Sequence, residues 1–235
     1  MVVPKLPKPF SKKFTAYRNI YTIKDSEEIY DDIVDPEDYG IIYAWDQKAS
    51  GIDHDQPKAR RVFQYGDLGE TLGVFDRINW KYGRFGDGED YGVWYGALEE
   101  ETSIREACYW RYQLIKNDLM YAKGPISTDR KMFEASCFTK KGIDLRKIVN
   151  KYPKIIDKKD YSFCHTLGQY AVSNRIELYF SLSVREPNGT CVPIFAPNVI
   201  QEDQVLYFLH FTFFQNGKMQ ITRDRDFFED IPPGW

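Results

Sequence analysis

The sequence has few of the residues that build metal centres and disulfide frameworks. Its 235 residues include four cysteines and three histidines. No two cysteines stand in the C-x-x-C spacing that is typical of structural zinc sites. We therefore expect no metal cofactor, and free thiols in a reducing, cytoplasmic setting are the simplest interpretation of the cysteines.

Long apolar stretches are also missing. No run approaches the ~18–20 apolar residues that a membrane-spanning helix needs, so we expect no association with a membrane. The first 14 residues contain lysines and prolines but lack the apolar segment of a signal peptide. This pattern favours a cytoplasmic protein, or one that is delivered to a target cytoplasm by another route.

An excess of positive charge is absent too. The net charge is −3, from 32 Lys and Arg against 35 Asp and Glu. Proteins that contact many phosphates of a nucleic acid are usually clearly basic, so we expect no broad nucleic-acid binding. A local pocket for an anion remains compatible with this balance.

Several widespread catalytic motifs do not occur. The sequence has no G-x-x-x-x-G-K-[ST] loop, no G-x-S-x-G elbow and no H-E-x-x-H helix. The glycine-rich stretch from Gly83 to Gly88 lacks G-x-G-x-x-G spacing between a strand and a helix. A P-loop kinase and a Rossmann-type dehydrogenase are therefore not favoured.

What is present is the pattern of an α+β protein with enough apolar residues, 43%, for a sizeable core. Apolar spacing predicts two helices, over residues 102–117 and 161–173. Strands are predicted over residues 92–96, 132–138, 177–184, 191–195 and 205–214. Asn216-Gly217 predicts a hairpin after the last of them. Because strands and helices do not alternate regularly, an α+β fold is favoured over a doubly wound sheet.

The first 59 residues differ from the rest. They begin with prolines and lysines, become acidic between residues 25 and 38, and show little sustained periodicity. We predict that residues 1–59 are an N-terminal extension that packs on a main domain of residues 60–235.

One ordered set of short motifs remains. A Gly83-Arg84-Phe85 loop is followed by a strand with Tyr95, a helix with Glu106, and a Ser183-Val184-Arg185 segment before a Pro-Asn-Gly turn. The order and spacing of these motifs resemble the RES domain family, which is named for its Arg, Glu and Ser. Arg61, in the Arg-Arg-Val-Phe segment upstream, fits the opening arginine of that family.

This resemblance implies a fold similar to ADP-ribosyltransferases, with a mixed β core and flanking helices. It also implies a toxin of a bacterial toxin–antitoxin pair that uses NAD as its substrate and cleaves the nicotinamide–ribose bond by hydrolysis or phosphorolysis. The implied partner is an antitoxin of helix-turn-helix type, or an immunity protein for a delivered effector. Two alternatives stay open: an ADP-ribosyltransferase that modifies a macromolecule, and a non-enzymatic interaction module.

The chemistry of the matched residues suits this substrate. Arginine makes planar, paired contacts with phosphate oxygens, and a carboxylate stabilises the positive charge that develops on the ribose. We assign the catalytic roles to Glu106, Arg84 and Ser183. The residues expected to bind NAD are Arg61, Arg84, Tyr95, Ser183 and Arg185.

Two patterns have simpler interpretations. Ser103 and Glu106 have the S-x-x-E spacing of a capping box, in which Glu106 would only close the start of the helix. Cys164 and His165 resemble a catalytic pair, but neighbouring positions on a helix face apart, so we expect separate structural roles for them.

Overall fold

The structure is a computed structural model that describes residues 4–21, 69–223 and 226–231. Within these ranges the chain forms eight strands and two helices of more than one turn. The strands are β1 Phe10–Tyr21, β2 Trp94–Ala97, β3 Ile126–Asp144, β4 Leu178–Leu182, β5 Thr190–Ile194, β6 Ile200–Phe213, β7 Met219–Arg223 and β8 Asp226–Ile231. The helices are α1 Glu100–Tyr121 and α2 Ser162–Ser173.

Short helical segments connect these elements. A single α-helical turn spans Gly69–Leu72. The 3₁₀ segments are Gly73–Phe75, Arg77–Asn79, Leu145–Ile148, Pro153–Ile156 and Pro197–Val199. Residues 80–93, which carry the glycine-rich loop, run without regular structure from the second of these segments to β2.

The strands form one mixed sheet in the order β1-β2-β5-β4-β3-β6-β7-β8, with a further pairing between β1 and β3. That pairing closes the first five strands into a ring. The 19-residue strand β3 makes this possible, because it pairs with β1 along one edge and with β6 and then β4 along the other. The β3–β4 pair is parallel and the other pairs are antiparallel.

Each helix covers a separate hydrophobic cluster. The apolar side of α1, with Ile104, Cys108, Ile115 and Leu119, packs against buried side chains of β3, β6 and β7. The spacing of these four residues is that of one helix face. The helix α2 packs with Phe85 of the glycine-rich loop and with Tyr179 of β4. All five strands of the ring contribute to a third cluster around Trp94.

The α+β fold that the sequence predicts is confirmed. Both predicted helices are present, and α1 is longer than expected at 22 residues. The predicted hairpin joins β6 to β7, and Gly217 takes the left-handed conformation (φ 81°) that its turn requires.

The beginning of the chain contributes to the main sheet. Strand β1 lies within the predicted N-terminal extension and pairs with β3 from Phe10 to Tyr21. The predicted boundary between residues 59 and 60 lies outside the described residues.

Candidate active site

Four segments bring the residues of the ordered motifs together. Arg84 lies in the glycine-rich loop, Glu106 is the seventh residue of α1, and Ser183 follows the last residue of β4. Tyr95 is the second residue of β2, and Arg185 lies in the turn between β4 and β5. Arg61 lies outside the described residues.

Glu106 accepts two hydrogen bonds on one carboxylate oxygen. The Ser183 hydroxyl lies 2.6 Å from Oε1, and the thiol of Cys191 lies 3.2 Å from the same atom. No hydrogen bond from a described residue ends on Oε2. Among the described residues, the hydrogen bonds to the Glu106 carboxylate therefore all fall on one oxygen.

The capping-box interpretation of Glu106 is wrong. The helix begins at Glu100, so Glu106 lies in its second turn rather than at its third position. The Ser103 hydroxyl instead accepts a hydrogen bond from the backbone N–H of Asn19 in β1, at 2.8 Å. A contact with a strand 84 residues away therefore replaces the expected local cap.

The hydroxyl of Ser183 has all its hydrogen-bonding capacity in use. It accepts from the backbone N–H groups of Arg185 and Glu186, at 3.1 and 3.0 Å. A serine hydroxyl has one proton and two lone pairs, so its proton must go to Glu106. This geometry gives Ser183 the task of orienting the glutamate.

The turn that carries Ser183 has a defined shape. The backbone N–H of Ser183 donates to the carbonyl of Gly189, and Asn188 takes a left-handed conformation with φ 64°. A side chain at Gly189 would collide with Thr102 near the start of α1. The absence of that side chain lets the turn lie directly against the helix that carries Glu106.

Arg84 is almost fully buried, with 6% of its surface exposed. Its guanidinium donates to the carbonyl oxygen of Leu182 at 3.0 Å and to the Ser181 hydroxyl at 3.2 Å. Burial acts to lower the pKa of Arg84, but the surrounding groups, the Glu106 carboxylate among them, raise it above its usual value. The site thus holds a permanent positive charge beside the Glu106 carboxylate.

The loop around Arg84 is anchored on several sides. The Tyr95 hydroxyl accepts a hydrogen bond from the N–H of Phe85, and the Tyr91 hydroxyl donates to the Phe85 carbonyl, both at 2.8 Å. The imidazole Nε2 of His165 lies 2.8 Å from the carbonyl of Gly83. Burial raises the pKa of Tyr95, so its hydroxyl stays protonated.

Helix α2 approaches this loop closely because residue 168 is glycine. A side chain there would collide with the carbonyl oxygen of Phe85 and the hydroxyl of Tyr91. The same helix separates the suspected pair, as expected: Cys164 contacts the carbonyl of Ile155 at 3.3 Å, whereas His165 contacts the loop.

A row of aromatic side chains begins on α1, shortly after Glu106 in the sequence. The guanidinium carbon of Arg185 lies 3.4 Å from the centre of the Tyr109 ring, one helical turn after Glu106. Tyr109 contacts Trp110, which contacts Tyr161 at 6.0 Å between ring centres. Tyr82, 58% exposed, lies 6.2 Å from Tyr161. We call Tyr82, Tyr109, Trp110 and Tyr161 the aromatic row.

Comparison with known proteins fixes the family. The model of the RES domain matches residues 52–213, which is more than half of the chain. This chain belongs to the RES domain family. Among solved structures, it is similar to a chain of the M. tuberculosis MbcT-MbcA toxin-antitoxin complex, at 12% identity and a TM-score of 0.43. That alignment covers 85% of this chain and 86% of the other. A search of the curated proteins finds no match.

Sequence reasoning about this RES domain missed several contacts around Glu106 and Arg84. Cys191 and Ser181 face each other across the β4–β5 pair and reach Glu106 and Arg84 respectively. No local signal identifies them, because their roles depend on strand register. The aromatic row has a partial signal, since Tyr109 and Trp110 follow Glu106 by three and four residues.

The described residues of the RES domain contain no group of three or more His, Cys, Asp or Glu side chains arranged to hold a metal ion. The four cysteines are all buried and free of disulfides. No described helix is both long and apolar enough to span a membrane.

Proposed function

We propose that this RES domain protein is an NAD-degrading enzyme that cleaves the nicotinamide–ribose bond and acts as a toxin. The observation that carries the proposal is the Glu106 carboxylate, which Ser183 and Cys191 hold through one oxygen while no hydrogen bond from the described residues falls on the other. The membership in the RES family supports the same substrate, since NAD is what the resemblance implies.

The proposed reaction begins with cleavage of the bond between nicotinamide and ribose C1′. Nicotinamide leaves with the bonding electron pair, and positive charge develops on C1′ and the ring oxygen of the ribose. The Glu106 carboxylate stabilises that charge in a site where it is already oriented. A water or phosphate oxygen then bonds to C1′ and loses its proton to solvent.

The positive charges of the site suit the pyrophosphate. Arg84 is buried and feels the charge of Glu106, and Arg185 lies over the ring of Tyr109, one helical turn after Glu106. We propose that both contribute to binding the two phosphates, together with Arg61. The Arg84 guanidinium also donates to Ser181 and Leu182, so it fixes the end of β4 just before Ser183.

The other assigned residues, Ser183 and Tyr95, hold Glu106 and the Arg84 loop in place. Ser183 keeps Glu106 in place rather than offering a free donor to the substrate. Tyr95, which is half-buried, supports the Arg84 loop by accepting from the N–H of Phe85, and it is also the proposed contact for nicotinamide or ribose.

The test is direct. Purified protein is incubated with NAD, and nicotinamide release is followed by chromatography, in buffers with and without inorganic phosphate. ADP-ribose as product indicates hydrolysis, and its 1″-phosphate indicates phosphorolysis. Absence of nicotinamide in both buffers, and also with cell lysate added, contradicts the proposal and favours a non-enzymatic module.

The acceptor and the partner need separate experiments. NAD labelled in its adenylate half, added with cell lysate, reports transfer of ADP-ribose to a macromolecule if label becomes acid-insoluble. The family resemblance also leads us to propose an antitoxin of helix-turn-helix type. Expression of the toxin in the cytoplasm should stop growth, and co-expression of that antitoxin should restore it.

A further inference from the structure

Cys191 is placed by the sheet so that its thiol meets Glu106. It is the second residue of β5 and pairs with Ala97 of β2 on one side and with Ser181 of β4 on the other. The residue is 7% exposed. Because both neighbouring strands fix its backbone, the position of the sulfur atom is set by the sheet and not by a flexible loop.

The hydrogen bond between them runs from the thiol to the carboxylate. An ionised carboxylate can only accept, while a thiol is a weak donor. Burial, followed by the negative charge of Glu106, raises the pKa of Cys191, which keeps the thiol protonated. A donor that meets a charged acceptor makes a stronger bond than it would with a neutral one.

The other buried thiols with described contacts behave differently. Cys137 lies 3.6 Å from the carbonyl oxygen of Ala135, and Cys164 lies 3.3 Å from that of Ile155. Backbone carbonyls satisfy these thiols, as is usual for cysteines inside a core. The thiol of Cys191 contacts an ionisable side chain of the candidate active site instead.

Two donors from different segments restrict the carboxylate more than one does. With Ser183 alone, the Glu106 carboxylate can swing around its contact at 2.6 Å. The thiol reaches the same oxygen from β5, whereas Ser183 reaches it from the end of β4. Together they fix Oε1 and therefore the direction of Oε2.

We propose that Cys191 is a positioning residue that holds Glu106 in its reactive orientation. The proposal rests on the proposed function, in which Oε2 faces the ribose. Cys191 itself forms no bond with the substrate and undergoes no change during the reaction. Its effect passes entirely through the Glu106 carboxylate.

Infrared spectroscopy tests the contact without any substrate. The S–H stretching band of Cys191 is identified by its loss in Cys191→Ala. We expect Glu106→Gln to shift that band to higher frequency, because the amide is a weaker acceptor than the carboxylate. An unshifted band overturns the proposal, whether or not the protein degrades NAD.

Kinetics of nicotinamide release test the consequence. Cys191→Ala should lower kcat by about tenfold with KM for NAD unchanged, since small displacements of a catalytic group cost up to about 10²-fold. Cys191→Ser should restore most of kcat, because a hydroxyl donates from nearly the same place. Cys137→Ala, which also removes a buried thiol, should leave kcat unchanged.

The outcomes separate the two proposals. A wild-type protein that releases no nicotinamide contradicts the proposed function, and the infrared band then decides whether Cys191 holds Glu106. An active wild type with an equally active, folded Cys191→Ala variant overturns the positioning role. Equal losses of kcat in the Ala and Ser variants also overturn it, since they would reflect packing alone.

Discussion

The most informative perturbation is Glu106→Gln. Glutamine keeps the length and shape of the side chain and can still accept hydrogen bonds from Ser183 and Cys191 through its amide oxygen. What it removes is the negative charge at the position of Oε2. In the proposed reaction that charge acts on the cationic ribose of the transition state far more than on bound NAD.

The expected magnitude follows from that difference. Loss of one preorganised electrostatic contact typically lowers kcat by about 10²–10³-fold, or roughly 2.7–4 kcal/mol of transition-state stabilisation. We therefore expect kcat of Glu106→Gln to fall by at least about 10²-fold. The dissociation constant for NAD should change little, because the pyrophosphate contacts are intact.

The value of kcat is measured as the rate of nicotinamide release at saturating NAD. Calorimetry gives the dissociation constant for NAD, and urea denaturation gives the free energy of unfolding. The matched control is Ser103→Ala on the same helix. It removes the acceptor of the Asn19 N–H at 2.8 Å and should destabilise the fold by about 1–3 kcal/mol with kcat unchanged. Nicotinamide release by Glu106→Gln at the wild-type rate would refute the catalytic role and leave the RES assignment as a statement about the family alone.

Three further predictions address the surroundings of the site. Arg84→Lys should lower the melting temperature, because one ammonium group cannot replace the planar contacts with Ser181 and Leu182. It should also weaken NAD binding by about 1–3 kcal/mol in calorimetry, because lysine cannot make paired contacts with the pyrophosphate. Wild-type values for both quantities would exclude these two roles of Arg84. Gly168→Ala should lower the free energy of unfolding by about 1–3 kcal/mol, because the added methyl group would collide with Phe85 and Tyr91. Gly124→Ala, which has open space around it, should change that free energy very little. Equal effects of the two substitutions would refute the close approach of α2 to the glycine-rich loop. Burial acts to raise the pKa of Glu177, but hydrogen bonds from Thr139 and from the N–H groups of Lys140 and Lys141 outweigh it and hold that pKa below its usual value. The resulting stabilisation of the fold is complete above about pH 5 and is lost as the pH falls through the lowered pKa. Glu177→Gln should therefore flatten the acid side of the curve of unfolding free energy against pH, and parallel curves for the variant and the wild type would contradict this.

Local pattern was enough to predict the parts of the fold whose determinants are local. The two helices follow from apolar spacing on one face, and the β6–β7 hairpin follows from Asn216-Gly217. The order of the short motifs was enough to indicate the family. The helices and the hairpin depend on interactions within a few residues, and the family could be indicated from the identities of the motif residues and their order in the sequence.

The features that sequence reasoning missed depend on distant partners. Strand β1 mixes polar and apolar residues. Its Asn19 is only 7% exposed, and two hydrogen bonds make this burial possible: Arg130 of β3 donates to the Asn19 side chain, and the Ser103 hydroxyl accepts from the Asn19 backbone N–H. Periodicity cannot show that such a polar residue belongs in a sheet, since its partners lie 84 and 111 residues away. The capping-box interpretation was wrong for the same reason, because the hydrogen-bond partner of the Ser103 hydroxyl is the N–H of Asn19, 84 residues away.

The position of Glu106 within α1 allows Glu106→Gln to remove the charge without altering the start of the helix. A glutamate at the start of a helix would also interact with unpaired N–H groups there, and its replacement would alter the helix. Glu106 lies in the second turn, where the backbone bonds close without it. Glutamine has nearly the same helix propensity as glutamate. Because the helix does not need the negative charge and the glutamine amide oxygen can still accept from Ser183 and Cys191, a loss of kcat in Glu106→Gln chiefly measures what that charge does to the substrate.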